Sequence, residues 1–509
     1  GYFDLTKISG DRLIIHDKKE TLTMEHQTKL QPECVFHYFA EVCKIPRPSK
    51  KEEKMIAFLK DFGEKHGLET KVDKAGNVLI KKPATPGFEN RKTVILQSHI
   101  DMVCEKNKET RHDFEKDPIE TYVDGEWLRA KGTTLGADNG IGVATELAIL
   151  AADDVKHGPI ECLFTVDEET GLTGAFALEK GFMDGDILLN LDSEDEGELF
   201  IGCAGGVRTL VEFDYQPVTV PADFFCFRLA VEGLTGGHSG DDINKMRANA
   251  NKLLGRFLYQ TNRKYDFYLL DIDGGNLHNA IPREAHALCA IPMEHKEDIR
   301  VDWNIFAAEV EEEYAATEKN MKFKLDSETY HAEAIERQVV TRFLAAVQGV
   351  FNGVFAMSQD IPGLVETSSN LASIKVRDHK VIVTSSQRSS ILSARKNVAD
   401  SIQSVFELAG ARVDVGEGYP GWKPNTQSEI LQIAVDTYKE LFGVEPKVKA
   451  IHAGLECGLF LEKYPSLDMV SFGPTLRGVH SPDERMLIPT VDKFWRHLLA
   501  VLQRIPLKA

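Results

Sequence analysis

The sequence contains no apolar run approaching the ~20 residues needed to cross a bilayer. No basic segment followed by an apolar one stands near its beginning, so no secretory leader is expected. None of its eight cysteines forms a Cys-x-x-Cys pair. That pattern argues against a disulfide framework or a structural zinc knot. Basic residues are in short supply: 60 Lys and Arg stand against 79 Asp and Glu, a formal charge of −19. Such a deficit argues against nucleic acid, and against a polybasic membrane-binding surface. Single cysteines scattered through apolar runs read as buried thiols in a reducing compartment, so a cytoplasmic protein is expected. Met24 reads as an internal start, and residues 1–23 carry little weight.

What is present is an ordinary globular composition, 42% hydrophobic and 27% charged over 509 residues. That length suits at least two domains. Helical spacing over 33–66 is broken at Pro46 and Pro48. Strands are expected at 69–72, 77–81, 93–97, 160–166 and 187–191, with a helix over 136–152. Strands alternating with helices indicate an α/β sheet covered on both faces. After residue 205 the pattern changes. A strand at 224–231, a Gly-rich loop at 236–240 and a helix at 243–259 lead to strands at 267–272 and 286–291 and a helix at 302–314. A similar series follows: helix 334–351, strands 370–376 and 381–386, helix 391–408, strand 411–415. Residues 416–424 read as a hinge. Beyond it, helices at 427–442 and 491–504 and strands at 447–451 and 468–472 restore the first pattern. The expected architecture is one α/β domain formed by 1–205 and 417–509, with an inserted α+β domain of two similar halves at 206–416.

Four motifs fall at the ends of expected strands or in the turns after them: His99-Ile100-Asp101, Asp138 in Gly-Ala-Asp-Asn-Gly, Asp167-Glu168-Glu169, and Asp192. His480 follows in a late loop. In open α/β sheets the carboxyl ends of strands form the ligand crevice. Each motif alone has a plain structural reading: a hydrogen-bonded histidine, a solvated acidic turn, a helix N-cap. Together they are harder to dismiss. An apolar strand running straight into three carboxylates crowds like charges at one edge, and a bound dication relieves them. Two imidazoles with several carboxylates and no thiolate suit Zn²⁺, Mn²⁺ or Co²⁺ in a hydrolytic site.

The ordered set Ser-His-Ile-Asp-Met-Val, Gly-Ala-Asp-Asn-Gly-Ile-Gly, Asp-Glu-Glu-Thr-Gly, Leu-Asp-Ser-Glu, Gly-Gly-His-Ser-Gly, Asn-Ala-Ile-Pro and His-Ser-Pro-Asp-Glu resembles the M20 family of dinuclear metallopeptidases. Within it the chain most resembles the bacterial cytosolic aminoacyl-histidine dipeptidases, from about residue 30 to the end. The resemblance implies two divalent ions per chain, Zn²⁺ foremost with Mn²⁺ or Co²⁺ as alternatives, about 3.5 Å apart. Asp138 would bridge them, His99 and Asp192 would complete one, and Glu169 and His480 the other. Glu168 would be the general base toward a metal-bridging water. Asp101 would fix the tautomer of His99.

The resemblance also assigns substrate contacts, three in the inserted domain and one, Gly454, in the segment beyond the hinge. His238 would hydrogen-bond the developing oxyanion. Asn279 and Arg388 would hold the substrate's carboxylate, and Gly454 would offer its backbone. His452 and Glu456 are placed in the pocket wall. The implied activity is hydrolysis of unblocked dipeptides, favouring Xaa-His and including β-alanyl-histidine. An aminoacylase or carboxypeptidase acting on N-acyl amino acids is the alternative enzyme. A non-catalytic metal-dependent peptide binder is the alternative from another class, and Glu168 argues against it. Two arrangements stay open for His238: reaching a partner's site across a homodimer formed by the inserted domain, or acting within its own chain.

Overall fold

Residues 30–509 are described by the structure, a computed structural model; Met24 and residues 1–23 lie outside the described residues. The described chain divides into two compact units, the first over 30–178, 182–197 and 472–509 and the second over 179–181 and 198–471. Residues 198–205 and 417–471 thus group with the second unit, whereas the sequence pattern puts the boundaries at 205/206 and 416/417.

In the first unit, strands β1 (Glu69–Val72), β2 (Val78–Lys82), β3 (Val94–His99), β6 (Ile160–Thr165) and β7 (Ile187–Asn190) lie in the order β1-β2-β6-β3-β7. Between β3 and β6 in the chain, β4 (Thr121–Asp124) and β5 (Trp127–Ala130) join Leu476–Arg477 and Arg485–Leu487 in a small separate sheet. The central three strands β6, β3 and β7 are parallel. Every residue of all three is buried, which is why they read as near-continuous apolar runs. Each fully buried aliphatic side chain there contributes about 1.5–3 kcal/mol. The polar exceptions satisfy one another. Asn190 Nδ2 donates to Gln97 Oε1 at 2.5 Å, and Gln97 Nε2 donates to Thr165 Oγ1 at 3.1 Å. This bridge across three strands lies close to the strand ends that carry the chemistry.

Helix α1 (Glu33–Cys43), then α2 (Glu53–Lys65), precede the sheet, and α1 packs on α3 (Ala137–Ala151). Nearly every residue of α3 is buried, as expected of a helix enclosed on all sides. Its N-cap is Gly136, at φ +70°, and Asp138 and Asn139 depart from helical dihedrals.

The second unit is built on a nine-stranded sheet. Its path runs Lys322–Ser327, Phe224–Glu232, Ala285–Pro292, Tyr268–Gly274, Val365–Arg377, Lys380–Ser389, Gly205–Asp214, Arg412–Val415, with Gly353–Met357 pairing alongside. Neighbouring strands are antiparallel. The expected helix over 243–259 is displaced. A 3₁₀ turn covers Ile243–Lys245, Met246 takes φ +54°, and the α-helix runs Ala250–Lys264. Asn249 decides the start, because its side chain accepts the Lys252 N–H as an N-cap. The strands Gly205–Asp214 and Lys322–Ser327 were not expected. The first crosses the expected domain boundary. The second alternates exposed and half-buried residues at the sheet edge. All eight cysteines are free, and six are buried.

Candidate active site

Six of the residues singled out in the sequence come together in the first unit. His99 is the last residue of β3, Glu168 and Glu169 follow β6, Asp192 follows β7, Asp138 opens α3, and His480 sits in the loop before Arg485–Leu487. Asp138 stands between the two histidines. Its Oδ1 lies 3.1 Å from His99 Nε2, and its Oδ2 lies 3.0 Å from His480 Nε2. Asp192 Oδ1 is 3.4 Å from His99 Nε2, and Glu169 Oε2 is 3.0 Å from His480 Nε2. The donor atoms of His99, Asp138 and Asp192 all fall within 4.8 Å of one another, as do those of Asp138, Glu169 and His480. The two triads share Asp138. Glu168 stands beside them, with Oε2 3.8 Å from His99 Nε2, and forms a third grouping with His99 and Glu169.

Asp101 organises the approach. Its Oδ1 lies 3.1 Å from His99 Nδ1 and accepts the Glu168 N–H at 3.0 Å. Its Oδ2 accepts the Glu169 N–H at 3.2 Å and the Ser49 hydroxyl at 2.7 Å. Burial opposes ionisation of this carboxyl, yet His99 and these donors hold it down to about 2. With Nδ1 donating to Asp101, His99 directs Nε2 toward Asp138 and Asp192, where a cation that displaced the Nε2 proton would meet its lone pair.

The charge balance is lopsided. Burial disfavours a proton on His99, but Asp192, Asp101 and Asp138 carry its pKa well above the ordinary value. Hydrogen bonds to Asp138 and Glu169 push His480 up to about 11. Burial, then Asp138 and Asp192, push the neighbouring Glu194 up to about 8. A pocket that strains to keep protons on its groups is short of positive charge. Its neutral-imidazole and carboxylate donors fit a pair of divalent cations.

The four residues expected to contact substrate, His238, Asn279, Arg388 and Gly454, lie in the second unit, where the structure joins them in one chain of contacts. Gly237–His238 pairs with Ala280–Ile281, and the Ser239 N–H donates to the Asn279 carbonyl at 2.9 Å. His238 Nδ1 accepts the N–H groups of Gly240 and Asp241 at 3.1 and 3.2 Å. The ring proton therefore sits on Nε2, and burial followed by Arg388 lowers the pKa. Arg388 is 8% exposed and reaches Tyr419 Oη at 3.2 Å and Ser239 Oγ at 3.5 Å. Its Nε is buried without a partner. No carboxylate of the described residues pairs with it, and it lines a cavity of about 460 Å³ with Arg208, His278 and Tyr419. A Cβ on Gly454 would stand 2.8 Å from the Tyr419 ring, so the bare backbone there lies against the same tyrosine. His452 is buried, with Nε2 2.7 Å from Ser368 Oγ and Nδ1 unpartnered. Burial, with Arg388 and His238, pushes it down to about 3.

Residues 95–504 match the family described as peptidase family M20/M25/M40. The chain is 43% identical to the cytosol non-specific dipeptidase of Escherichia coli K12 over 485 residues, covering 95% of this chain and 100% of that protein. The chain belongs to the M20 peptidase family. Among solved structures, the aminoacylhistidine dipeptidase of Vibrio alginolyticus superposes with a TM-score of 0.89 at 48% identity, covering 95% of this chain and 98% of that one. The aminopeptidase PepT of Bacillus cereus superposes with a TM-score of 0.59 at 16% identity, covering 94% and 99%, and shares the fold. As an M20 peptidase the chain is a hydrolase with an α/β catalytic fold.

Several residues around the first-unit cluster and around the second-unit contacts escaped the sequence reading. Ser49, Ser368 and Tyr419 are polar residues in turns or strands with no spacing signal, and Ser239 stood in the Gly-Gly-His-Ser-Gly motif without a role of its own. Arg47 and Glu484 are each 2% exposed. The Pro-flanked position of Arg47 and the late His-Ser-Pro-Asp-Glu motif were the only hints of either. Among the described residues, no helix is long and apolar enough to cross a membrane.

Proposed function

We propose that this M20 enzyme hydrolyses unblocked dipeptides at two divalent cations, with Xaa-His, including β-alanyl-histidine, as the favoured class. The single observation that carries this reading is the shared Asp138, one oxygen toward His99 and the other toward His480. Two ions held there, Zn²⁺ or else Mn²⁺ or Co²⁺, would polarise the scissile carbonyl and acidify a water. His99 and Asp192 would hold one, and Glu169 and His480 the other. Glu168 takes the proton from the attacking water and delivers it to the leaving amine. Asp101 keeps His99 in the tautomer that presents Nε2 and fixes the backbone of both glutamates. His238 donates its Nε2–H to the carbonyl oxygen as charge develops. Arg388 receives the substrate's carboxylate, which suits a buried guanidinium with no counter-ion. Asn279 and the Gly454 backbone complete that grip. The inserted segment 206–416 acts as a lid domain and as the surface through which two copies associate. The Escherichia coli and Vibrio relatives are named as dipeptidases, the first as cytosolic and the second as acting on aminoacylhistidine, which supports the substrate class and a cytoplasmic location.

The test is a panel of Ala-His, β-Ala-His, Gly-Gly and N-acetyl-His, assayed with and without a chelator. Turnover of the free-amine dipeptides, abolished by chelation and restored by Zn²⁺ or Mn²⁺, is the expected result. Preference for N-acetyl-His would replace the dipeptidase with an aminoacylase, and turnover unaffected by chelation would remove the metal reading.

A further inference from the structure

We propose that Glu484 is a positioning residue for Asp138, working with Arg47 across the turn at Gly136; the proposal rests on Asp138 being the shared ligand. Glu484 belongs to the same loop as His480 and is buried. Its Oε1 accepts the N–H groups of Leu135 and Gly136, both at 2.9 Å, and its Oε2 accepts the N–H of Asp138 at 3.2 Å. The first turn of a helix leaves such N–H groups without intrahelical partners. An N-cap side chain normally answers them, but the N-cap here is glycine and supplies none. A carboxylate 346 residues away in the chain takes its place.

Arg47 grips the same turn from the other side. Its Nη2 donates to the Gly136 carbonyl at 2.6 Å, and its Nη1 donates to the carbonyls of Ile100 and Asp101 at 3.1 and 3.0 Å. The two peptide groups flanking Gly136 Cα are therefore held by opposite buried charges. No side chain fits between them: a Cβ on Gly136 would stand 2.6 Å from Arg47 Nη2 and 2.9 Å from Met102 Sδ. Through these two residues the three segments 99–101, 135–138 and 480–484 become one rigid piece. Those segments carry His99, Asp138 and His480. Asp138 has φ −83° and ψ 104°, so helical geometry does not set its direction and the clamp does. A small rotation there would bring one carboxylate oxygen closer to its histidine and take the other away. Two buried charges are costly to keep for stability alone, which favours a role in fixing geometry.

Glu484→Gln isolates the role. The amide oxygen can still serve Leu135 and Gly136, but the amide nitrogen then meets the Asp138 N–H, donor against donor. The measurements are Zn²⁺ affinity by competition with a chromophoric chelator, Tm of the metal-free protein, and kcat and KM on Ala-His. Expected are a loss of about 10–100-fold in affinity for the Zn²⁺ pair or in kcat, KM within about threefold, and a metal-free Tm close to wild type. Arg47→Lys, which cannot span both groups of carbonyls, should shift the same readouts in the same direction. Wild-type Zn²⁺ affinity and kcat in Glu484→Gln overturn the proposal. A lower metal-free Tm beside that unchanged affinity and kcat would make Glu484 a stability residue. If Glu484→Ala fails to fold, the glutamine variant still decides. A wild-type chain that takes up no pair of ions sinks the underlying metal reading instead, without reference to any variant.

Discussion

Asp101 serves His99 with one oxygen and the backbone of both Glu168 and Glu169 with the pair. The two glutamates can therefore diverge in role while their main chain stays fixed. Glu168→Ala should keep both metals and the fold, and lower kcat by about 10²–10⁴-fold. Glu169→Ala should lose metal. Elemental analysis beside kinetics checks both, and equal metal retention would refute the division of labour. Arg388 makes a different kind of claim. Removing its charge-assisted hold on a carboxylate should cost about 2–5 kcal/mol in kcat/KM. The penalty should nearly vanish on Ala-His-amide, which lacks that carboxylate. Equal losses of Arg388→Ala on Ala-His and its amide would make Arg388 structural, with Asn279 the next candidate for the anchor.

The loop at 236–240 has little room to move. A Cβ on Gly240 would stand 2.2 Å from the His452 carbonyl oxygen, a backbone atom that cannot swing aside. Gly240→Ala must displace the loop, at a cost of about 1–3 kcal/mol, and carry His238 with it. Lower kcat with normal metal content is expected, and unchanged kcat would show that the His238 loop tolerates movement. The helices and strands around these loops show what spacing can reveal. Buried parallel strands announce themselves as apolar runs, and their polar last residues are visible where each run stops; this made His99, Glu168, Glu169 and Asp192 readable. Asp138 opens a helix and His480 sits in a late loop, so no strand end marks either, and the bridging role of Asp138 rested on the motif resemblance. The start of helix Ala250–Lys264 was missed because apolar spacing continues back to Ile243, while the Asn249 cap and the left-handed Met246 set the boundary locally. The roles of Arg47 and Glu484 were hidden for another reason. A charge in a Pro-rich or acidic stretch reads as solvated, and only tertiary packing shows that its partners are backbone groups.

Metal, protons and stability are linked across the full chain. All proposed ligands lie in the first unit, and His480 is held at about 11 without a cation, chiefly by Asp138 and Glu169. The sign follows directly. A raised folded-state pKa stabilises the metal-free fold fully below the unfolded value of about 6.5, and that contribution is lost as pH rises toward 11. Ligation needs neutral imidazole, so near pH 7 an incoming ion must displace the His480 proton and that of His99, whose pKa is also raised. Apparent affinity should therefore rise with pH by about tenfold per unit for each proton displaced. Calorimetry in buffers of different ionisation enthalpy reads the number directly. His452 in the second unit runs the opposite way. With its pKa lowered to about 3 by burial, its contribution is full above about 6.5 and fades as pH falls toward 3. Saturating Zn²⁺ at about 100 times its Kd should add about 2.7 kcal/mol to the first unit, or roughly 5–10 °C in its transition. The second unit's transition should not move, and acid should depress it instead. Trp127 and Trp495 report the first unit, and Trp303 and Trp422 the second, so paired Trp→Phe variants assign each transition by fluorescence. Equal shifts of both transitions on adding Zn²⁺ would mean that the ions bind elsewhere or that the units unfold as one.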